Sequence, residues 1–310
     1  MKILGIETSH DDTSIAILEN GKVVDMFTIS QVDIFKEFGG TIPEISSREH
    51  VQNISIIHDL LLKKHDLTTI DYIAYTKEPG LIGTLQVGFL FANALSLSLN
   101  KPLIPINHLE GHFFSATITN EVTFPALCLL VSGGHTQLIY AKNYFETTII
   151  GETLDDAVGE VFDKVSRRLN TGFPGGPAID KIFNLYKGEY IHFTQPHTEN
   201  KYDFSFSGLK SQVLNYCNIT EMKNIKLNKE QIASSFQKTA VEYLISKTKL
   251  ALKEYNVNSL ILGGGVSANS FLRNEFKNLH TNVIIPDMKY TTDNGAMIAQ
   301  VAYLRLIKKE

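Results

Sequence analysis

The stretch NHLEGHFFS, residues 107–115, sets His108 and His112 four residues apart. On a helix that spacing puts both imidazoles on one face, close enough to share a metal ion. The zinc-protease pattern H-E-x-x-H fails here, because the acid follows Leu109. Glu110 stands two residues from each histidine, about 200° round a helix. It points away from anything the histidines hold and cannot act as the general base of that reaction. Gly111 also weakens the helical preference. A histidine pair becomes a metal site only when a third ligand comes from elsewhere.

A second chemistry is suggested by three glycine-bearing turns, GIETSHDDTS, VSGGHT and GGGVSAN. A helix N-terminus behind such a turn binds phosphate through backbone N–H groups and the helix dipole. Gly263 to Ala268 satisfies G-x-G-x-x-A, and Asp287 follows the next strand near the spacing of a ribose contact. A nicotinamide dehydrogenase is therefore a rival reading. Too few residues remain after this unit to complete a dinucleotide half-domain, and a single such match is weak. No Walker A pattern occurs, so a P-loop is excluded. Three turns in a duplicated α/β chain point to a nucleotide held between two domains.

The elements that must position these residues repeat. KILGIETSHDDTSIAILENGKVV reads as strand, polar turn, strand and Asn-Gly turn. From Ala126, ALCLLVSGGHTQLIYAKN reads the same way, and each opening leads into helical periodicity. VQNISIIHDLLLKKH near His50 has helical spacing. So does LDDAVGEVFDKVSRRL, whose Leu154, Val158, Val161, Phe162, Val165 and Leu169 form a stripe about 100° wide. Asp156, Glu160, Asp163 and Arg167 gather opposite, as a solvated face or with one acid turned to a ligand. NTGFPGGPAID follows, with Gly175 and Gly176 between prolines in a turn whose backbone can approach a ligand. A long amphipathic helix comes next, with Ile232, Phe236, Val241, Leu244, Leu252 and Tyr255 on its core side. A strand–glycine turn–helix–strand unit then sets the class as α/β.

Composition narrows the rest. With 310 residues, 43% hydrophobic and 20% charged, the chain has the balance of an ordinary globular protein of two domains. No signal peptide and no membrane span are expected. Cys128 and Cys217 form no spacing motif and read as reduced buried thiols. A net charge of −4 gives no bulk attraction to nucleic acid, so such a partner needs a local basic patch or a second subunit.

Taken in order, GIETSHDDTSIAI, GGTIPEISSREHVQNI, PGLIGTLQVG, NHLEGH, LLVSGGHTQL, GETLDDAVGEVFDKV, FPGGPAID, DFSFSGLKS, GGGVSANSFLR and YTTDNGAMIA span nearly the whole chain. The sequence resembles the universal tRNA adenosine threonylcarbamoyltransferases, once described as O-sialoglycoprotein endopeptidases. The resemblance implies an actin-like ATPase fold of the sugar-kinase and Hsp70 superfamily, with two related domains and a nucleotide and metal cleft between them. The domains would be 1–107, completed by a C-terminal helix over 292–310, and 108–291. It implies a cytoplasmic enzyme that moves a threonylcarbamoyl group from threonylcarbamoyl-adenylate to adenosine 37 of tRNAs reading codons that begin with adenine, releasing AMP. Its partners would be tRNA, a degenerate paralogous subunit and a small ATPase, with no membrane.

By motif, the resemblance assigns His108, His112 and Asp293 to one divalent metal, iron, with zinc as the alternative. Two nitrogens and one oxygen suit either ion. It assigns Leu130, Val131, Ser132, Gly133, Gly134, Asp163, Gly176, Asp180 and Asn269 to the donor, an adenylate or ATP-type nucleotide. The metal would stabilise charge developing on the donor, and Asp11 or Asp12 would accept the amine proton. The chain departs from the family pattern at His10, where Cys is usual, at Asp12, where Glu is common, and at Lys77-Glu78. Lys164, Arg167, Arg168, Lys201 and Lys210 are candidates for tRNA contact by position alone. Three rival classes remain: a metallopeptidase, opposed by Glu110; a dehydrogenase; and a non-catalytic nucleotide-binding scaffold.

Overall fold

The computed structural model describes residues 1–308. The chain opens with three antiparallel strands, β1 (Lys2–Glu7), β2 (Asp12–Glu19) and β3 (Lys22–Ser30). Asn20 and Gly21 join β2 to β3 with φ of 49° and 78°, the positive values a two-residue type I′ turn requires. There follow α1 (Val32–Phe35), α2 (Pro43–Lys64), β4 (Tyr72–Glu78), α3 (Ile82–Leu99), β5 (Leu103–Asn107) and α4 (His108–Phe114). The first sheet runs β3-β2-β1-β4-β5, with β4 parallel to both β1 and β5. Ile54, Ile57 and Leu61 of α2 and Ala92 and Leu95 of α3 cluster with Leu4, Ile6, Ile15 and Ile17 of the sheet.

Helix α3 is long and apolar enough to cross a membrane by length and composition alone, a test that a helix packed on a sheet can also pass. Its uncharged polar residues break the apolar run in the sequence, yet none carries a charge. In the fold, Thr84, Gly88, Ala92 and Leu95 are buried while Ile82, Leu90 and Leu97 are exposed. The Thr8 hydroxyl donates to the carbonyl of Thr84 at 2.9 Å, which ties α3 to the end of β1.

The second half repeats the plan. It contains β6 (Ala126–Val131), β7 (Thr136–Ala141), β8 (Thr147–Glu152), α5 (Val158–Leu169), α6 (Gly175–Leu185), α7 (Ser207–Met222), α8 (Lys229–Glu254), β9 (Ser259–Gly263), α9 (Ser270–Lys277) and β10 (Val283–Ile284). Its sheet, β10-β9-β6-β7-β8, matches the first strand for strand: β6 is antiparallel to β7 and parallel to β9. The chain closes with α10 (Gly295–Ile307); residues 309 and 310 of the expected terminal helix lie outside the described residues. Two compact units result, Met1–Glu121 with Pro286 onward, and Val122–Ile285. Cys128 and Cys217 are free and buried.

The helix expected from Leu154 begins only at Val158, and Leu154 is exposed. Asp155 accepts from the backbone of Phe206 at 2.7 Å and Ser207 at 3.2 Å, and from the hydroxyls of Ser205 and Ser207. Asp156 pairs with Lys164 and Lys210. Carboxylates so engaged hold the backbone out of the helix. In α8 the expected Ile232, Phe236, Val241 and Leu244 are buried, and so are Ser234, Ser235 and Gln237.

Candidate functional site

Helix α4 places the histidine pair. Asn107 caps it, its side chain accepting from the backbone of Leu109 at 2.8 Å. The rings of His108 and His112 lie 4.6 Å apart between centroids. Asp293 comes from the far end of the chain, just before α10. It is fixed there by Asn294, which caps Met297 at 2.9 Å, and by the Ser14 hydroxyl, which accepts from the Gly295 backbone at 2.9 Å. Its Oδ1 lies 3.0 Å from His112 Nε2 and 3.6 Å from His108 Nε2. One ligand atom from each of the three falls within 4.8 Å of the others.

The surroundings of His108 fit a metal ligand. Its Nδ1 faces Glu7 Oε2 at 3.1 Å. A carboxylate there accepts a hydrogen bond from Nδ1–H and so leaves Nε2 free to bind an ion, the usual arrangement behind a metal-bound imidazole. Glu7 is fully buried and also accepts from Thr76 Oγ1 and from the Ser9 backbone, each at 2.5 Å. Burial alone would raise the Glu7 carboxyl, but the charge and hydrogen bond of His108 hold it below the usual carboxylate range. Burial alone would lower His108; Glu7 and Asp293 instead raise it to about 9. His112 Nδ1 is buried and finds no partner among the described residues. We expect Glu7→Gln to weaken metal affinity about 10- to 100-fold, read by metal titration; unchanged affinity would remove Glu7 from the site.

The turn carrying Asp11 and Asp12 is held by α2. His50 Nε2 donates to the His10 carbonyl at 3.1 Å, its Nδ1 lies 2.7 Å from Thr13 Oγ1, and Ser46 Oγ donates to the same carbonyl at 2.6 Å. His10 Nδ1 lies 2.9 Å from Asp11 Oδ1, so the departure from Cys gives Asp11 a partner. Lys77 and Glu78 are exposed and pair with each other at 3.5 Å. Asp12 Oδ1 is buried without a partner among the described residues. Burial first, then the charge of Asp293, lift the Asp12 carboxyl to about 7. This surplus of negative charge beside Asp293 is what a bound cation would relieve.

A pH prediction follows for metal-stripped protein. The unfolded Asp12 loses its proton near pH 4 and the folded one near 7, so the folded state binds more protons between them. The stability that Asp12 contributes therefore falls as pH rises from about 4 to about 7 and changes no further above. Asp12→Asn should remove that part of the slope in thermal melts, and an unaltered slope would contradict the assignment.

The residues assigned to the donor all lie in the second unit. Leu130 and Val131 end β6, and Ser132, Gly133 and Gly134 form the turn to β7, closed by the Ser132 N–H to the His135 carbonyl at 2.8 Å. A Cβ on Gly133, Gly134 or Gly176 would meet nothing within 4 Å. Asp163 Oδ1 accepts from Gly175 N at 2.6 Å, tying α5 to the first turn of α6 and to Gly176. Asp180 accepts from the Ser270 backbone at 3.0 Å, and Asn269 caps α9 by accepting from Leu272 N at 2.9 Å. Gly264 adopts φ of +84°, and a Cβ there would lie 2.3 Å from the Val131 carbonyl oxygen. The glycine turn after β9 therefore packs against the end of β6.

Two features escaped the sequence reading. Glu7 ends an apolar strand, and a lone charge in that place was the available signal. Gln237 sits on the apolar stripe of α8, four residues from both Ala233 and Val241. Of the basic residues considered for tRNA, four are paired: Lys164 with Asp156 and Glu160, Arg168 with Glu221, Lys201 with Glu254 and Lys210 with Asp156. Glu110 pairs with Arg305 at 2.6 Å, which engages the acid that a metallopeptidase would need.

The family model described as tRNA N6-adenosine threonylcarbamoyltransferase matches residues 22–300. The protein of that name from Mycoplasmopsis agalactiae is 67% identical over 309 residues, 100% of both chains. That of Fusobacterium nucleatum subsp. nucleatum is 46% identical over 99% of this chain and 92% of its own. Among solved structures, full-length HypF in its phosphate- and nucleotide-bound form superposes with a TM-score of 0.66 at 14% identity, over 100% of this chain and 47% of that one. Component A of the (R)-2-hydroxyglutaryl-CoA dehydratase of Acidaminococcus fermentans gives 0.56 at 14% identity, over 99% of each. At such identity these structures speak to the fold, which is that of the actin-like ATPases. The chain belongs to the tRNA N6-adenosine threonylcarbamoyltransferase family and is a transferase that acts on tRNA.

Proposed function

We propose that the chain takes the threonylcarbamoyl group from threonylcarbamoyl-adenylate and joins it to the N6 amine of adenosine 37 in tRNAs reading codons that begin with adenine. The observation that carries this reading is the convergence of His108, His112 and Asp293 in a chain of this family. The N6 lone pair is delocalised into the purine, so the amine is a poor nucleophile. The donor compensates, being a mixed carbamic–phosphoric anhydride with AMP as leaving group. The N6–carbonyl bond forms, the carbonyl–phosphate oxygen bond breaks, AMP leaves with the electron pair and one N6 proton passes to a base.

Asp12, whose buried Oδ1 has no partner among the described residues, is the group proposed for that role, with Asp11 beside it. His108, His112 and Asp293 would hold the ion, iron or else zinc, which would supply positive charge where negative charge develops. Backbone amides of Ser132, Gly133 and Gly134 and of the Gly263–Gly265 turn receive the phosphate, while Leu130, Val131, Asp163, Gly176, Asp180 and Asn269 hold the adenosine. The target base lies in a single-stranded loop, where presenting it costs little unstacking.

A degenerate paralogous subunit and a small ATPase complete the working unit in the cytoplasm. The net charge of −4 and the paired basic residues support a need for help in holding tRNA. The test is AMP release from threonylcarbamoyl-adenylate by protein and companion subunits. Release that depends on a tRNA with adenosine at position 37, and is lost with guanosine there, supports the reading. Release indifferent to the tRNA contradicts it.

A further inference from the structure

We infer that Gln237 is a positioning residue for the adenylate, locking Asp180 and Asn269 into one hydrogen-bonded unit; this rests on reading those two as donor-binding. Gln237 is fully buried on α8. Its Nε2 donates to Asp180 Oδ1 at 2.7 Å, and its Oε1 accepts from Asn269 Nδ2 at 3.0 Å.

The direction of this chain follows from chemistry alone. The Leu272 backbone N–H, at 2.9 Å, can only donate, so it fixes Asn269 Oδ1 as acceptor and turns Nδ2 toward Gln237. The Asp180 carboxylate can only accept, so Gln237 must present Nε2 to it. Every amide in the run has one allowed orientation. Asp180 is held further by Ser270, whose N–H reaches Oδ2 and whose hydroxyl reaches Oδ1, both at 3.0 Å. Asp180 stands on α6 and Asn269 caps α9; Ser270 ties Asp180 to the start of α9, and Gln237 on α8 bridges the Asp180 and Asn269 side chains themselves.

Packing does not call for an amide here. The positions three and four residues away on α8 are Ala233, Ser234, Ala240 and Val241, all buried and all small or apolar. Methionine has similar volume and would fill the place without a polar group to satisfy. What it would lose is the coupling of Asp180 to Asn269. A buried network with every member satisfied restricts its members to one arrangement, and pre-ordering two ligand-binding groups lowers the cost of binding.

The test is AMP titration of the metal-loaded, full-length protein, with steady-state kinetics on the donor in the complete complex. Gln237→Met should weaken AMP about tenfold and raise the donor KM by a similar factor. The kcat at saturating donor should fall far less and bound metal should stay near wild type, while Tm should fall modestly because the buried Asn269 Nδ2 loses its acceptor. In an Asn269→Ala background, adding Gln237→Met should change AMP affinity less than twofold; additive losses would indicate a merely structural role and overturn the inference. Should the Met variant fail to fold, Gln237→Glu keeps the volume and turns an acceptor toward Asp180, with the same loss expected. Wild-type AMP affinity in the Gln237 variants alone overturns this inference. Wild-type affinity in Asp180→Asn and Asn269→Ala as well overturns the donor-site reading beneath it.

Discussion

His112→Ala is expected to leave a folded protein almost free of bound metal and to lower threonylcarbamoyl transfer more than about a hundredfold. Losing a partner behind a metal ligand already costs about 10- to 100-fold, and losing the ligand itself costs more. His112 is the cleaner ligand to remove. Its Nδ1 has no partner among the described residues; alanine there removes the Nε2 contact with Asp293 Oδ1 at 3.0 Å, while Asp293 keeps His108 Nε2 at 3.6 Å. His108→Ala, by contrast, would strip the buried Glu7 of its charged partner at 3.1 Å, leaving only Thr76 and Ser9, and destabilise the fold as well. Metal content by elemental analysis, beside a single-turnover transfer rate, separates the two effects. A variant that keeps both its metal and its rate would show that the cluster is not the site.

Gly5→Val should have the largest effect on stability. A Cβ on Gly5 would lie 2.2 Å from the Gly295 carbonyl oxygen, and one on Gly295 would lie 2.5 Å from that of Gly5. The two glycines let α10 touch the backbone of β1. Both contacts are backbone to backbone, so no flexible side chain can yield. We expect a loss of roughly 3 kcal/mol, the upper part of the range for overpacking, and a fall in Tm of about 5–10 °C. Because Asp293 immediately precedes α10, the displaced helix should also weaken metal binding. Gly208→Ala is the control: a Cβ there meets nothing within 4 Å, so Tm should hold or rise. A Gly5 variant that melts like wild type would mean that α10 does not rest on β1 as described.

Local periodicity made the fold legible. The two β-turn-β openings, at Lys2 and Ala126, become equivalent strand pairs in sheets of one topology. The strand–helix–strand unit after Ser259 is parallel, as its pattern required. The histidine spacing identified one face of α4, but geometry alone could not supply Asp293, which stands 181 residues beyond His112 in the numbering. Only the motif YTTDNGA pointed to it. A one-dimensional pattern carries i,i+4 neighbours, not contacts closed by the return of the C-terminal helix. Glu7 and Gln237 are illegible in sequence for the same reason: Glu7 stands at the end of an apolar strand and Gln237 among ordinary polar helix residues until partners arrive from distant segments. Leu154 failed for a different reason, because Asp155 and Asp156 spend their carboxylates on residues around 205–210 and stop the helix short.

The central claim is a metal-dependent transfer to tRNA, and nucleoside analysis of a target tRNA tests it most directly. The tRNA would be incubated with threonylcarbamoyl-adenylate, the companion subunits and either wild type or Asp293→Ala, each shown to be folded. Threonylcarbamoyladenosine with wild type and none with the variant is the predicted result. Equal product from both, or none from wild type carrying its metal, would contradict the account.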